Sequence, residues 1–359
     1  MEVMADRRQR RPSRRQVALW LGAAAGLALT ARVLFNSRDE LITAADSLTA
    51  VQPGWLVLAV VFEVVAYVCY ARGLQRLFRR AGADVGLLPL TGISVLGQAA
   101  GNCLPGGLAL TGVVMYRQLR RRGVADALTG WVLGVASVLF MVALALVALV
   151  ALEVAGPGSQ VAGLQAASLT VIALVVVLAL AVGLLRSRTP WQRWAGGAAR
   201  AVAGLPLLSR VWPRSGRDLP TRVTGLVTRL GAVRLGARAV LVATGLLVLS
   251  WLADAVVLGL AFTALGQTPP LRGLLLAYCA GQLAAALPVT PGGLGVVEGS
   301  LTLALVAFGG AEAGTLAAVL LYRLVSFWGL LPVGALCWLA LHLSPAAVVP
   351  SATALEVSA

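Results

Sequence analysis

Histidine, lysine and cysteine are scarce or missing in this sequence, and so is charge of either sign. Of its 359 residues, one is histidine, four are cysteine, none is lysine, and 12% are charged. The histidine, His342, follows an apolar run. No HExxH, Walker, nucleophile-elbow or Cys/His pattern occurs, so the common metal and nucleophilic chemistries lack their residues. The four cysteines fall in apolar segments, as small core residues do. We expect no enzyme activity, no cofactor and no bound metal.

Apolar residues take the place of the missing charge. Hydrophobic residues make up 59% of the chain and the mean hydropathy is +0.89, whereas a soluble domain carries about a quarter charged residues. Several apolar runs reach about 20 residues, the length that crosses a bilayer as a helix. The sequence predicts an all-α polytopic integral membrane protein with about six full spans. These spans are expected over about 16–35, 54–72, 125–151, 166–185, 239–265 and 313–341.

Arginine supplies all 29 basic side chains and is unevenly distributed. Segments 1–15, 72–80, 117–122 and 186–238 hold six, four, four and eleven of them. Short basic loops between apolar spans mark the cytoplasmic side of a membrane protein. The protein is therefore predicted to lie in the cell membrane with both termini on the cytoplasmic side. No aromatic platform or nucleic-acid-binding module accompanies the net charge of +15, so no nucleic-acid partner is expected.

The same distribution divides the chain into three parts. Residues 1–15 are predicted to be a basic cytoplasmic N-terminus, and 343–359 a disordered tail. Between them, 16–342 form a transmembrane domain that contains a cytoplasmic arginine-rich loop over 186–238. Residues 13–19 also resemble a twin-arginine export signal, but the many later spans favour a start helix held by its basic flank.

Two stretches interrupt the apolar sequence with proline and glycine. They read Pro105-Gly106-Gly107-Leu108 and Pro291-Gly292-Gly293-Leu294, preceded by Gly97-Gln98 and Gly281-Gln282. Non-helical backbone at membrane depth must be buried in protein or line a wet cavity. We predict two broken re-entrant hairpins, about 86–116 and 271–309, that enter from opposite faces and meet near the membrane midplane. Each half then reads as span, hairpin, span, the inverted repeat typical of transporters.

The breaks suggest a site for a polar ligand. A half-helix that starts after each break exposes free N–H groups suited to phosphate, and Arg323 could add a fork of donors. The alternative for Arg323 and Glu298 is a buried ion pair that holds the fold. Glu63 and Asp254 are candidates for pairing with Arg323, for relaying protons or for contacting a cationic headgroup. The predicted substrate-binding residues are Asn102, Pro105, Gly106, Gly107, Tyr116, Arg117, Pro291, Gly292, Gly293, Gly295, Glu298, Tyr322 and Arg323.

These motifs carry a family resemblance over about residues 16–342. Asn102-x-Leu104-Pro105-Gly106-Gly107 with Tyr116-Arg117, and the stretch 291–299 with Tyr322-Arg323-Leu324, resemble the transmembrane domain of lysylphosphatidylglycerol synthase, a flippase-like family. The resemblance implies lipid translocation between leaflets. After the first Pro-Gly-Gly the chain departs from relatives that have further glycine and an acid. It ends near residue 359 without a soluble aminoacyl-transferase domain, so lysyl transfer is expected to be absent.

The preferred function is therefore a lipid flippase that moves an anionic or phosphate-bearing lipid, phospho- or polyprenyl-linked. Two alternatives stay open: an ion-coupled secondary transporter of a small polar solute, and a non-transporting scaffold for a cell-envelope enzyme. The expected partners are membrane lipids, with a cell-envelope glycosyltransferase or a second copy of the chain as further candidates. Because no ATP-binding motif occurs, transport would be passive, ion-coupled or driven by a partner.

Overall fold

The computed structural model describes residues 51–103, 107–156, 236–286, 290–343 and 349–350. The predicted spans at 16–35 and 166–185, the N-terminal segment 1–15 and nearly all of the loop 186–238 lie outside these residues. The helices are α1 Pro53–Arg80, α2 Leu87–Asn102, α3 Gly107–Arg121, α4 Asp126–Ala155, α5 Ala237–Ala264, α6 Leu271–Ala286, α7 Val296–Ala307, α8 Glu312–Arg323 and α9 Leu330–Leu343.

Four of the six predicted spans fall in the described residues, and all four are present. α1, α4, α5 and the unit Glu312–Leu343, which contains α8 and α9, are each long and apolar enough to cross a membrane. Apolar side chains cover their outer surface: Val57, Leu241 and Leu336 are 63%, 74% and 65% exposed. So much exposed apolar surface suits contact with lipid. The prediction of an all-α polytopic membrane protein is confirmed.

β-Structure among the described residues is limited to one antiparallel pairing of two residues with two. β1 (Ala83–Asp84) follows α1 and pairs with β2 (Val349–Pro350). The C-terminal segment therefore returns to the end of the molecule where α1 stops. The disorder predicted for 343–359 stays a prediction for the positions outside the described residues.

Helices α1 and α5, which open the two predicted repeats, form an antiparallel pair at the centre. The Gln52 N–H donates to the Ala264 carbonyl (2.8 Å), and the Ser250 hydroxyl donates to the Ala66 carbonyl (2.8 Å). Fourteen residues forward along α1 are thus matched by fourteen residues back along α5. At Gly73 a Cβ would lie 3.4 Å from the Ala243 carbonyl oxygen, so this glycine allows the helices to approach closely.

Both predicted hairpins are present, with α2 packed on α3 and α6 packed on α7. Glycines on the first arm make room for the second. A Cβ on Gly97 would lie 2.7 Å from Met115 Cγ, and one on Gly281 would lie 2.8 Å from Leu301 Cγ. Both distances are too short for a real Cβ. Gly97 and Gly281 occupy matching positions in the predicted repeat, so the same crossing of two arms occurs in both halves.

The second arm of the first hairpin is longer than predicted. The sequence suggested an end near Tyr116, whereas α3 runs from Gly107 to Arg121. Two features explain the extra length. Leu119 is fully buried, so the apolar face of the helix continues beyond Tyr116, and arginine is a good helix former. Arg120 and Arg121 therefore lie in the last turn of the arm, where the helix dipole favours positively charged side chains.

The two hairpins open at opposite ends of the bundle. The first hairpin begins just after Arg80, at the end of α1, and its second arm ends at Arg121. The second begins after Ala264, whose carbonyl bonds Gln52 at the start of α1. Because α1 runs the length of the bundle, the first hairpin enters from its arginine-rich end and the second from the other end. This arrangement agrees with the predicted inverted repeat.

The last span is interrupted between α8 and α9 by a π-helical turn, Leu324–Trp328. The Gly329 N–H donates to the Leu324 carbonyl five residues back (2.7 Å). Pro332 follows within a turn; it has no N–H to donate and its ring clashes with the carbonyl four residues earlier, so a widened turn relieves both problems. Beyond it α9 packs along α2, where a Cβ on Gly334 would lie 3.7 Å from the Val95 carbonyl oxygen.

Candidate functional site

The tips of the two hairpins meet at Gly292. This residue has φ of 59° and ψ of 17° inside the short 3-10 turn Pro291–Gly293. A Cβ there would lie 2.9 Å from the Asn102 carbonyl oxygen, at the end of α2, and 2.6 Å from Phe327 Cζ in the π-helical turn. Only glycine fits this place, because it accepts positive φ and adds no side chain. Pro105 and Gly106 of the first break lie outside the described residues.

The start of α7 is closed by its own acid. Gly295 adopts a φ of 80°, and its N–H donates to Glu298 Oε2 (2.7 Å). A carboxylate three residues into a helix commonly reaches back in this way, and it also neutralises the positive end of the helix dipole. Across the same loop the Thr290 hydroxyl donates to the Leu294 carbonyl (2.9 Å). This helix N-terminus is therefore already occupied by a negative charge.

Arg323 ties the second break to α8. Its Nε donates to Glu298 Oε1 (2.7 Å), one terminal nitrogen donates to the Gly292 carbonyl (2.9 Å), and the guanidinium carbon lies 4.1 Å from the centre of the Phe327 ring. The residue is only 7% exposed. Of the two roles considered for Arg323 and Glu298, the contacts match the buried ion pair.

A second polar cluster surrounds Asp254, in the middle of α5. Its carboxylate accepts hydrogen bonds from the hydroxyls of Tyr278 (2.7 Å) and Tyr322 (3.1 Å) and from the side-chain amide of Gln282 (3.3 Å). The carboxyl group of Glu63 on α1 lies beside it, within reach of a hydrogen bond. The antiparallel register of α1 and α5 explains this contact, since it sets Glu63 opposite Asp254.

Together these groups form a polar track through the apolar bundle, from the central helix pair to the hairpin tips. Its two parts meet on α8, where Tyr322 belongs to the first part and the next residue, Arg323, to the second. Within the first part, Gln282 donates to both Asp254 and the Tyr322 hydroxyl (3.3 Å each). The track consists of Glu63, Asp254, Tyr278, Gln282, Tyr322, Arg323, Glu298, Gly292 and Asn102.

The charge of the polar track is not balanced. Arg323 and Glu298 cancel each other at 2.7 Å. Glu63 and Asp254 remain, and they have no cationic partner at ion-pair distance within the described part of the chain. The track therefore contains two carboxyl groups that no basic side chain of the described residues balances.

Two predicted site residues are not brought to the track. Tyr116 and Arg117 lie near the far end of α3, about 14 Å from Gly107 at a rise of about 1.5 Å per residue. The Tyr116 hydroxyl donates to Asp126 Oδ1 (2.7 Å) at an exposed position, and Arg117 is exposed. Their exposed position near the arginine-rich end of α3 suits residues that anchor a helix at the membrane interface. Gly107 and Gly293 act in packing, because each lies too close to its neighbours to carry a side chain. A Cβ on Gly293, for example, would lie 2.6 Å from Val297 Cγ2.

Tyr278 and Phe327 belong to the site although the sequence interpretation did not select them. Tyr278 and Gln282 are four residues apart on α6, so they share one helix face, and that face points at Asp254. This spacing was the signal available in the sequence. Phe327 had no such signal, because its position depends on the widened turn before Gly329.

The fold and the polar track define a class: an all-helical polytopic membrane protein whose two halves each contain a broken hairpin, with the tips in contact. The family follows from sequence comparison. The family model described as lysylphosphatidylglycerol synthase TM region matches residues 16–334, and the chain belongs to this family. No curated protein matches the chain. Membership indicates a membrane protein with a lipid-related function in the cell envelope, and it confirms the resemblance seen in the motifs.

Proposed function

We propose that this protein translocates a phospholipid between the leaflets of the cell membrane, and that the lipid headgroup carries an amine as well as a phosphate. The observation that carries the proposal is the polar track, which connects two hairpins opening at opposite ends of the bundle. A headgroup crosses unaided slowly because it must leave water, and a polar path through the protein lowers that barrier. The acyl chains stay in lipid, alongside the exposed apolar faces of the helices.

The two carboxyl groups without a basic partner favour an amine. An ammonium group offers three N–H donors and no acceptor, which suits the carboxyl groups of Glu63 and Asp254. The phosphate of the same headgroup would be left to the arginines at the end of α3. The sequence favoured an anionic headgroup held by Arg323 and a helix N-terminus. Both of those groups already have partners, Glu298 and the Gly292 carbonyl, so we place the charge recognition at the carboxyl pair instead.

The test is a leaflet assay in proteoliposomes of phosphatidylcholine. Each preparation contains a trace of tail-labelled phosphatidylethanolamine, phosphatidylglycerol or phosphatidylcholine, and dithionite bleaches the label in the outer leaflet. We expect the protein to raise the bleached fraction above that of empty vesicles for phosphatidylethanolamine, with smaller effects on the other two. Asp254→Asn should slow translocation at least tenfold. The matched control is Glu312→Gln, an exposed acid in the first turn of α8.

Three outcomes would contradict the proposal. Faster movement of phosphatidylglycerol would restore the anionic-headgroup hypothesis. No acceleration of any lipid would exclude translocation. Equal rates for wild type and Asp254→Asn would remove the polar track from the pathway.

A second candidate is an ion-coupled transporter of a small cationic solute, because the same carboxyl pair could bind a free amine. Uptake of methylammonium into vesicles that show no lipid movement would favour it. Neither candidate involves a chemical step. The partnership with a cell-envelope glycosyltransferase, the pairing of two copies and the inward position of both termini are further proposals. Copurification, cross-linking and accessibility labelling of the termini test them in turn.

A further inference from the structure

The pattern of hydrogen-bond donors around Glu63 and Asp254 indicates which of the two carboxyl groups would hold a proton shared between them. Asp254 receives hydrogen bonds from Tyr278, Tyr322 and Gln282, so it accepts as a carboxylate. The carboxyl group of Glu63 lies beside that of Asp254, within reach of a hydrogen bond. Two carboxylates cannot hydrogen-bond each other without a proton. Since Glu63 is the side without donors, a shared proton belongs on Glu63, whose O–H group would then donate to Asp254.

Glu63 is also left with an unused acceptor. The residue is 9% exposed, and Oε2 has no hydrogen-bond partner in the part of the chain that the structure describes. A buried acceptor without a donor is costly to a fold, and a donor group of a bound ligand would remove that cost. Its neighbour across the helix pair, the Asp254 carboxylate, carries the negative charge that would attract such a donor.

Among the residues that the structure describes, the groups around the pair offer no competing cation at bonding distance. Glu63 faces Tyr67 on its own helix, and Asp254 faces the tyrosines of α6 and α8. The cation that acts on Asp254, Arg323 on α8, is held by Glu298 of α7. Helix α4 packs on α5 with an apolar surface, where Trp251 donates to the Phe140 carbonyl. Other titratable neighbours are Tyr70 on α1 and Cys279 on α6.

We propose that the Glu63–Asp254 pair is an exchange site that binds either a proton or the ammonium group of the headgroup, so that each amine-bearing lipid that enters releases one proton. The inference rests on the proposed function and adds its coupling. On binding, the O–H bond of Glu63 breaks and the proton passes to water. The N–H groups of the ammonium then donate to both carboxylates. The pair with its bound proton, and the pair with the bound ammonium, each carry one net negative charge, so exchange at the pair itself is electrically neutral.

The experiment measures proton release from purified protein in detergent. A short-chain phosphatidylethanolamine is titrated into weakly buffered protein that contains a pH-sensitive dye. We expect wild type to release about one proton per protein at saturation. Its affinity should rise about tenfold per pH unit, because one proton leaves for each ligand bound. Short-chain phosphatidylcholine, whose quaternary amine has no N–H, should release none.

Variants separate the pair from other acids. Glu63→Gln keeps the shape of the side chain but has no proton to give, so any remaining binding should be independent of pH and release none. Glu312→Gln should behave as wild type. Size-exclusion profiles check that the variants fold. If Glu63→Gln does not fold, the proton count of wild type decides alone.

The outcomes keep the two proposals apart. Binding without proton release, in a protein that still moves lipid in vesicles, overturns the exchange and leaves translocation standing. Proton release that persists in Glu63→Gln assigns it to another group and also overturns the exchange. Absence of both lipid movement and amine binding overturns the proposed function, and the exchange falls with it.

Discussion

Replacing Gly292 by alanine tests the contact between the hairpin tips. An L-residue in the left-handed region costs roughly 1–2 kcal/mol, and the added methyl group would overlap the Phe327 ring and press on the Asn102 carbonyl. Overpacking of that kind costs about 1–3 kcal/mol. We expect Gly292→Ala to lower the free energy of unfolding by about 2–5 kcal/mol, measured by titration with sodium dodecyl sulfate in mixed micelles.

Two other glycines separate the causes. Gly309 has a φ of 95° but nothing within 4 Å of a built Cβ, so Gly309→Ala should cost only the backbone strain, about 1–2 kcal/mol. Gly299 is helical and equally open, so alanine there should be neutral or stabilise by up to about 1 kcal/mol. Combining Gly292→Ala with Phe327→Ala should cost less than the two single changes added together. The reasoning is refuted if Gly292→Ala costs no more than Gly309→Ala, or if the double variant is additive.

Two further changes probe the buried polar contacts. Arg323→Ala should lower the free energy of unfolding by about 3–5 kcal/mol, because it leaves Glu298 buried and unpaired. In the same detergent titration, the double variant Arg323→Ala/Glu298→Gln should recover part of that loss. If the double variant is no more stable than Arg323→Ala alone, the two residues are not coupled. Ser250→Ala removes the hydrogen bond to the Ala66 carbonyl between α5 and α1, and should cost about 0.6 kcal/mol. Its control is Thr244→Val, which loses only a bond within α5; equal effects would argue against the interhelical contribution.

The interruptions of the helices were the part of the fold most open to prediction from sequence. Proline and glycine inside apolar sequence have few explanations at membrane depth, and the paired glycines before each break pointed to matching arms. Gly97 and Gly281 do occupy matching crossings. The length of α3 was harder to judge, because arginine marks a membrane boundary and also extends a helix.

The site was less predictable because its residues have competing partners. Glu298 lies three residues after Gly295, a spacing typical of an acid that caps its own helix, yet the same carboxylate also holds Arg323. A sequence shows that both partners are available but not that one group takes both. Likewise Glu63 and Asp254 could be recognised as buried acids in matching helices. Their direct contact depends on the antiparallel register of α1 and α5, which appears only in three dimensions.

The π-helical turn gives the last span two different faces. One extra residue in a turn rotates all side chains beyond it by about 100° relative to a continuous α-helix. As a result Arg323 points at the tip of the second hairpin, while Gly334 on the same rod lies against the first. Deleting one residue from 324–328 would restore a uniform helix, and no single orientation of that helix could then satisfy both neighbours.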